Sequence, residues 1–141
     1  MKKEVKKKKV KLTREQTLEK YGVKSIAVEV KITDQLNDAG IEYKYEPYRI
    51  KYIDPAKNRS YTPDWLLIKN NILIEGKGRF TQQDRHKHEL IKEQHPELDI
   101  RFVFQNPNVK ISKTSKTTYA MWCDSRGFKW AKGLIPGEWL K

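Results

Sequence analysis

The chain has 141 residues, 37% of them hydrophobic and 34% charged, with 30 lysines and arginines against 18 aspartates and glutamates and a net charge of +12. That is the length of one domain with a real core. No apolar run approaches a membrane span, so the positive excess points to nucleic acid as the anionic partner and away from a membrane surface.

Residues 1–11 hold seven lysines, Lys2, Lys3, Lys6 and Lys7 among them, against one glutamate. Residues 1–12 are therefore expected to form a disordered basic arm that touches phosphates or serves solubility. The arm has neither the apolar core nor the cleavage site of an export signal. Cys123 is the only cysteine, which excludes an intrachain disulfide, argues against a cysteine-based zinc site and fits a reducing cytoplasm. Thr13-Arg14-Glu15-Gln16 has the capping-box pattern and opens a short helix towards Gly22. A second helix is expected over 26–39, with Ser25 as N-cap, Val28, Ile32, Leu36 and Ala39 at helical spacing, and Gly40 as the stop. Glu29 falls in its first turn, where a glutamate ordinarily serves the helix dipole.

Residues 42–46 and 48–53 read as strands, and 54–59 as a turn or loop. Trp65-Leu66-Leu67-Ile68 and the run from Ile72 to Lys77 read as adjacent buried strands joined through Lys69-Asn70-Asn71. Thr81 to Asp84 opens a helix that stops at His95-Pro96. Residues 99–105 alternate as a strand with Ile100, Phe102 and Phe104 on one face. A last helix over 117–126, closed by Gly127, leads to a tail whose Trp130, Leu134, Ile135 and Trp139 dock on the core. Trp65, Trp122 and Trp139 sit in apolar patterns and read as core, not as platforms for stacking bases.

Two fragments carry chemistry. Pro63-Asp64 alone is an ordinary turn, and Glu75-Gly76-Lys77 alone an ordinary solvated strand. Together they put two acids at the ends of neighbouring strands, a repulsion that a metal resolves. Strand alternation points Glu75 and Lys77 the same way and leaves the opposite face bare at Gly76. Hard cations such as Mg²⁺ take carboxylate oxygens, and a nearby ammonium neutralises a phosphoryl group, so the pattern suits metal-dependent phosphodiester hydrolysis. Arg79, Thr81, Arg85, Lys87 and His88 follow at once and are expected to hold phosphates flanking the cut. His86 and His88 face different ways on a helix and do not share a metal, and all three histidines are expected at the surface or on phosphate.

Tyr61-Thr62-Pro63-Asp64-Trp65-Leu66-Leu67, Glu75-Gly76-Lys77-Gly78, the run from Glu93 to Arg101 and Leu134-Ile135-Pro136-Gly137-Glu138-Trp139 together resemble the endonuclease I family of T-odd bacteriophages. These are Holliday-junction-resolving enzymes of the PD-(D/E)xK nuclease superfamily. The resemblance runs from about Ile26 onward, with one extra residue between Asp64 and Glu75. It implies an α/β restriction-endonuclease-like core, a mixed central sheet flanked by helices, with residues 13–141 as a single nuclease domain. It implies the catalytic set Glu29, Asp64, Glu75 and Lys77, with Asp64, Glu75 and Glu29 holding Mg²⁺, two ions per site, and Mn²⁺ substituting. It further implies an intertwined homodimer that exchanges the segment bearing Glu29, branched DNA and four-way junctions as substrate, and 5′-phosphate and 3′-hydroxyl products. A sequence-specific or nicking nuclease of the same superfamily would share this centre. A noncatalytic DNA-binding protein needs only the basic surface and has no reason to keep the four catalytic types in register.

Overall fold

The structure, a computed structural model, describes residues 28–55 and 57–141. The expected basic arm, with Lys2, Lys3, Lys6 and Lys7, and the expected helix opened at Thr13 lie outside the described residues. In chain order the described elements are α1 (Val28–Asp38), β1 (Tyr43–Tyr45), β2 (Ile50–Asp54), β3 (Lys57–Tyr61), β4 (Trp65–Leu67), β5 (Ile72–Lys77), α2 (Gln82–Gln94), β6 (Asp99–Phe104), α3 (Tyr119–Arg126), β7 (Lys129–Lys132) and a 3-10 turn, Gly137–Leu140.

Five strands form one sheet in the order β1-β4-β5-β6-β7. β1, β4 and β5 are antiparallel, while β5, β6 and β7 run parallel. Parallel neighbours cannot be joined by a tight turn, and α2 supplies the crossover from β5 to β6. This is the mixed sheet flanked by helices that the sequence led us to expect of a PD-(D/E)xK-like core.

Two strands escape the sequence reading. The expected loop 54–59 is half of a hairpin, in which β2 and β3 pair from Ile50↔Tyr61 to Asp54↔Lys57 as a separate two-stranded sheet. β3 is exposed at every position except Tyr61, so it has no apolar alternation to betray it. The expected tail begins as β7, parallel to β6. Ile135 and Trp139 are buried as expected, Trp130 is half-buried, and Leu134 is 48% exposed and does not dock on the core.

The sheet separates two cores because alternate residues face opposite sides. Ile100, Phe102 and Phe104 of β6 join Ile91 of α2, Trp122 of α3 and Tyr52 and Tyr61 of the hairpin in one cluster. Val103 faces the other, with Val28, Ile32 and Leu36 of α1, Trp65, Ile74, Ile135 and Trp139. Phe80 anchors the first cluster, its ring centroid 5.1 Å from both Phe102 and Trp122. Each such aromatic pair is worth about 0.5–1.5 kcal/mol beyond its buried area.

Two features fix α1 over the sheet. A Cβ at Gly76 would stand 2.9 Å from Cγ1 of Val28 and 3.2 Å from the Trp65 ring, so only glycine lets the helix approach this closely. The Gln35 side chain then donates to the Ile135 carbonyl at 2.7 Å and accepts from its N–H at 2.8 Å. At the other helices, Thr81 caps α2 through a reciprocal box with Asp84, and Gly127 ends α3 in the left-handed region.

Candidate active site

The β4–β5 ladder stops at the Trp65↔Ile74 pair, whereas β5 continues to Lys77 against β6. Pro63, which has no N–H to offer a ladder, stands just before the break. In the gap the Asp64 carboxylate takes the place of a strand: its Oδ2 accepts the Gly76 N–H at 2.9 Å. The Asp64 carbonyl meanwhile accepts the Glu46 N–H at 2.8 Å, which fixes the backbone from the β1 side.

Glu75 and Lys77 project to the same face, with Lys77 Nζ 3.5 Å from Glu75 Oε1. Glu75 is buried, and its Oε2 accepts the Tyr61 hydroxyl at 2.6 Å. Lys77 Nζ also lies 3.4 Å from Oδ1 of Asp84, whose Oδ2 completes the α2 cap by accepting the Thr81 N–H. Asp84 thus ties the start of α2 to the centre. Glu29 comes from the opposite face on α1, its Oε2 accepting the Tyr45 hydroxyl at 2.7 Å.

The electrostatics record how closely these groups converge. Burial, then Glu75, then Glu29 push the Asp64 carboxyl well above its usual range, and the Gly76 N–H and Lys77 only partly oppose them. Glu75 is raised as well, chiefly by burial, against the pull of Lys77 and Tyr61. Burial would depress the Lys77 ammonium, but Glu75, Asp84 and Asp64 outweigh it and hold it above its ordinary value. Two carboxylates this close repel each other, and a cation relieves both.

The structure therefore brings Glu29, Asp64, Glu75 and Lys77 into one electrostatic neighbourhood. The expected phosphate contacts divide. Arg79 and Thr81 are exposed just past β5, although the Thr81 oxygen is engaged by the Asp84 N–H. Arg85 is half-buried and donates to the Phe80 carbonyl at 2.7 Å. Lys87 is half-buried above the Tyr61 ring. His88 is a correction. It is fully buried between the rings of Tyr61 and Phe102, at centroid distances of 4.9 and 4.8 Å, and cannot reach DNA. Neither of its ring nitrogens has a partner among the described residues, and burial, then Lys77 and Lys87, hold its pKa well below the ordinary value.

A cleft of about 1720 Å³ opens beside the centre, between the β2–β3 hairpin and α2, with Lys51, Arg59, Asp84, His86 and Lys87 in its wall. Sequence reasoning missed Tyr61 and Asp84 as members of the site. Asp84 carried one signal, the capping box, which announces a helix start but not a second partner for its other oxygen.

Residues 7–141 match the family described as phage endonuclease I. Among curated proteins the chain is 46% identical over 124 residues to the Endonuclease I of Escherichia phage T7, covering 88% of this chain and 83% of that protein. It is 49% identical over 114 residues to the Endodeoxyribonuclease 1 of Enterobacteria phage T3, covering 81% and 74%.

Proposed function

The chain belongs to the phage endonuclease I family, and from that premise we propose that it is a DNA endonuclease that selects branched DNA, four-way junctions above all, and hydrolyses phosphodiester bonds with Mg²⁺. The observation that carries the reading is the convergence of Asp64, Glu75 and Lys77 where β4 and β5 part.

The donor set fits the metal. Among the described residues no three His, Cys, Asp or Glu side chains stand close enough to cage an ion. Mg²⁺ does not ask for a cage: it is commonly held by one or two carboxylates, with water and substrate phosphate completing its shell. Asp64 and Glu75 would hold it, Glu29 would reach a second ion directly or through water, and Mn²⁺ would substitute. Bound there, the metal supplies Lewis-acid polarisation of the phosphate and a more acidic water.

The chain's own groups do the rest. Tyr61 fixes one oxygen of Glu75, the Gly76 N–H fixes one oxygen of Asp64, and both acids are thereby oriented before substrate arrives. Lys77, steadied by Asp84, offsets negative charge gathering on the phosphoryl oxygens. Products would carry 5′-phosphate and 3′-hydroxyl ends, and no covalent enzyme intermediate is required. The working unit would be a homodimer in which the segment bearing Glu29 is exchanged, so that two centres face two strands. Among the described residues no helix is long and apolar enough to cross a membrane, and the proposed place of action is the host cytoplasm.

Cleavage with and without Mg²⁺, on a four-way junction and on a linear duplex of matched sequence, tests the reading. The junction should be cut only with the metal and should outcompete the duplex by orders of magnitude in binding. Equal competition would make the protein a nuclease of ordinary duplex. No cleavage of either would remove the enzyme reading.

A further inference from the structure

Lys77 is not the only ammonium beside the acids. Its Nζ is already shared between Glu75 and Asp84, at 3.5 and 3.4 Å, so much of its charge is answered before any substrate arrives. Lys87 lies three residues beyond Asp84 on α2, hence on the same side of the helix. Its stem is half-buried, and its Nζ stands 4.9 Å from the centroid of the Tyr61 ring, the same ring whose hydroxyl holds Glu75. No carboxylate among the described residues forms an ion pair with it.

A cation drawn partly out of water without a counter-ion is held at a cost, and an aromatic face returns only part of it. Burial accordingly keeps the Lys87 pKa below its ordinary value even though Glu75 pulls the other way. Lys87 also lines the cleft that opens beside the centre, so an anion entering there meets this ammonium. The side chain has what an anion site needs: a fixed seat, partial desolvation, and a charge that no ion pair among the described residues takes up.

We propose that Lys87 is a second phosphate-directed ammonium of the catalytic centre, seated on Tyr61 and left without a counter-ion for the scissile phosphodiester to fill. The proposal rests on the nuclease reading and sharpens it. The sequence suggested that Lys87 holds a phosphate flanking the cut; its place beside Tyr61 and the acids assigns it to the reacting one. Lys77 then serves both the carboxylates and the phosphoryl group, while Lys87 faces the phosphate without an acid to share it with.

The wild-type cut on a junction is mapped first, and failure to cut any DNA with Mg²⁺ overturns the nuclease reading itself whatever Lys87 does. Binding is then measured in Ca²⁺ on junctions carrying one uncharged methylphosphonate, either at the scissile linkage or at a flanking one. Neutralising the scissile linkage should weaken wild-type binding several-fold and Lys87→Met binding much less, while flanking substitutions weaken both alike. At saturating enzyme, Lys87→Met should slow single-turnover cleavage on the order of 10²–10³-fold. Lys87→Arg, whose guanidinium can occupy the same ring, should recover much of that loss. Tyr61→Phe keeps the ring and so should keep the wild-type sensitivity to the scissile methylphosphonate, although it slows cleavage through Glu75. Undiminished cleavage by a folded Lys87→Met overturns the proposal. So does a difference between the two proteins that appears only at a flanking linkage.

Discussion

Asp64 carries the heaviest electrostatic load in the centre, and two measurements follow from it. Asp64→Asn and Lys77→Ala should each abolish cleavage while junction binding in Ca²⁺ stays nearly intact, since phosphate anchoring and chemistry use largely different groups; normal turnover by either variant would remove the proposed centre. The second measurement concerns stability without metal. Because the folded pKa of Asp64 is raised, its protonated form favours folding at low pH, and that contribution is lost as pH rises from the ordinary value of 3.8 through the folded one. His88 works in the opposite sense: its folded pKa is depressed, so its contribution is complete above 6.5 and is lost as pH falls through that value. Asp64→Asn should therefore be more stable than wild type at pH 7 in chelator and match it near pH 3. Urea unfolding across that range checks this, and equal stabilities at pH 7 would show that Asp64 is not strained. Asp64, Glu75 and Lys77 could be placed from the sequence because apolar runs end beside both acids and alternation turns Glu75 and Lys77 to one face. Tyr61 could not, since its facing depends on a hairpin that read as a loop. His88 was misread because a spacing of two separates the directions of two histidines without saying which one turns inward.

At the scale of elements, the approach of α1 to β5 decides whether Glu29 can take part. The contact depends on Gly76, where any Cβ would press on Val28 and the Trp65 indole. Gly76→Ala should cost about 1–3 kcal/mol, as overpacking does, and should lower the melting temperature by several degrees. Cleavage should suffer more than folding does, because the displaced helix carries Glu29. A variant with normal melting and normal cleavage would show that the helix is not held at this point. Elements that bury a face could be read from the sequence: α1 from its helical stripe, β4 and β5 from their apolar runs, β6 from alternation. β3 and β7 could not. Lys57-Asn58-Arg59-Ser60 is held by its backbone ladder to β2 and buries none of those four side chains. In β7 only Ala131 is buried, and lysines flank it on both ends.

For the whole molecule, the exchanged dimer makes the most discriminating expectation. Glu29→Ala and Glu75→Ala homodimers should both be inactive, each centre lacking one carboxylate. A heterodimer of the two, if exchange pairs Glu29 of one chain with Glu75 of the other, has one centre with both defects and one with neither, and it should nick a single strand of a junction. A purified heterodimer that binds junctions but never nicks would sink the exchange and leave the nuclease assignment standing. The order of the core was readable because local patterns follow the chain, whereas the closure of α1 rests on contacts that no local pattern announces. The Gln35 to Ile135 pair joins residues 100 positions apart. Ribosomes build proteins from the N-terminus, so α1 emerges early and waits for its clamp until residue 135 has been made. Contacts of such long sequence separation also form late in folding, because closing a large loop costs entropy before it returns anything. The nascent chain can thus complete β4, β5 and β6 before the Gln35 clamp on α1 closes. Full seating of α1 therefore waits for a finished C-terminal segment, supplied by its own chain or, in the exchanged dimer, by the partner.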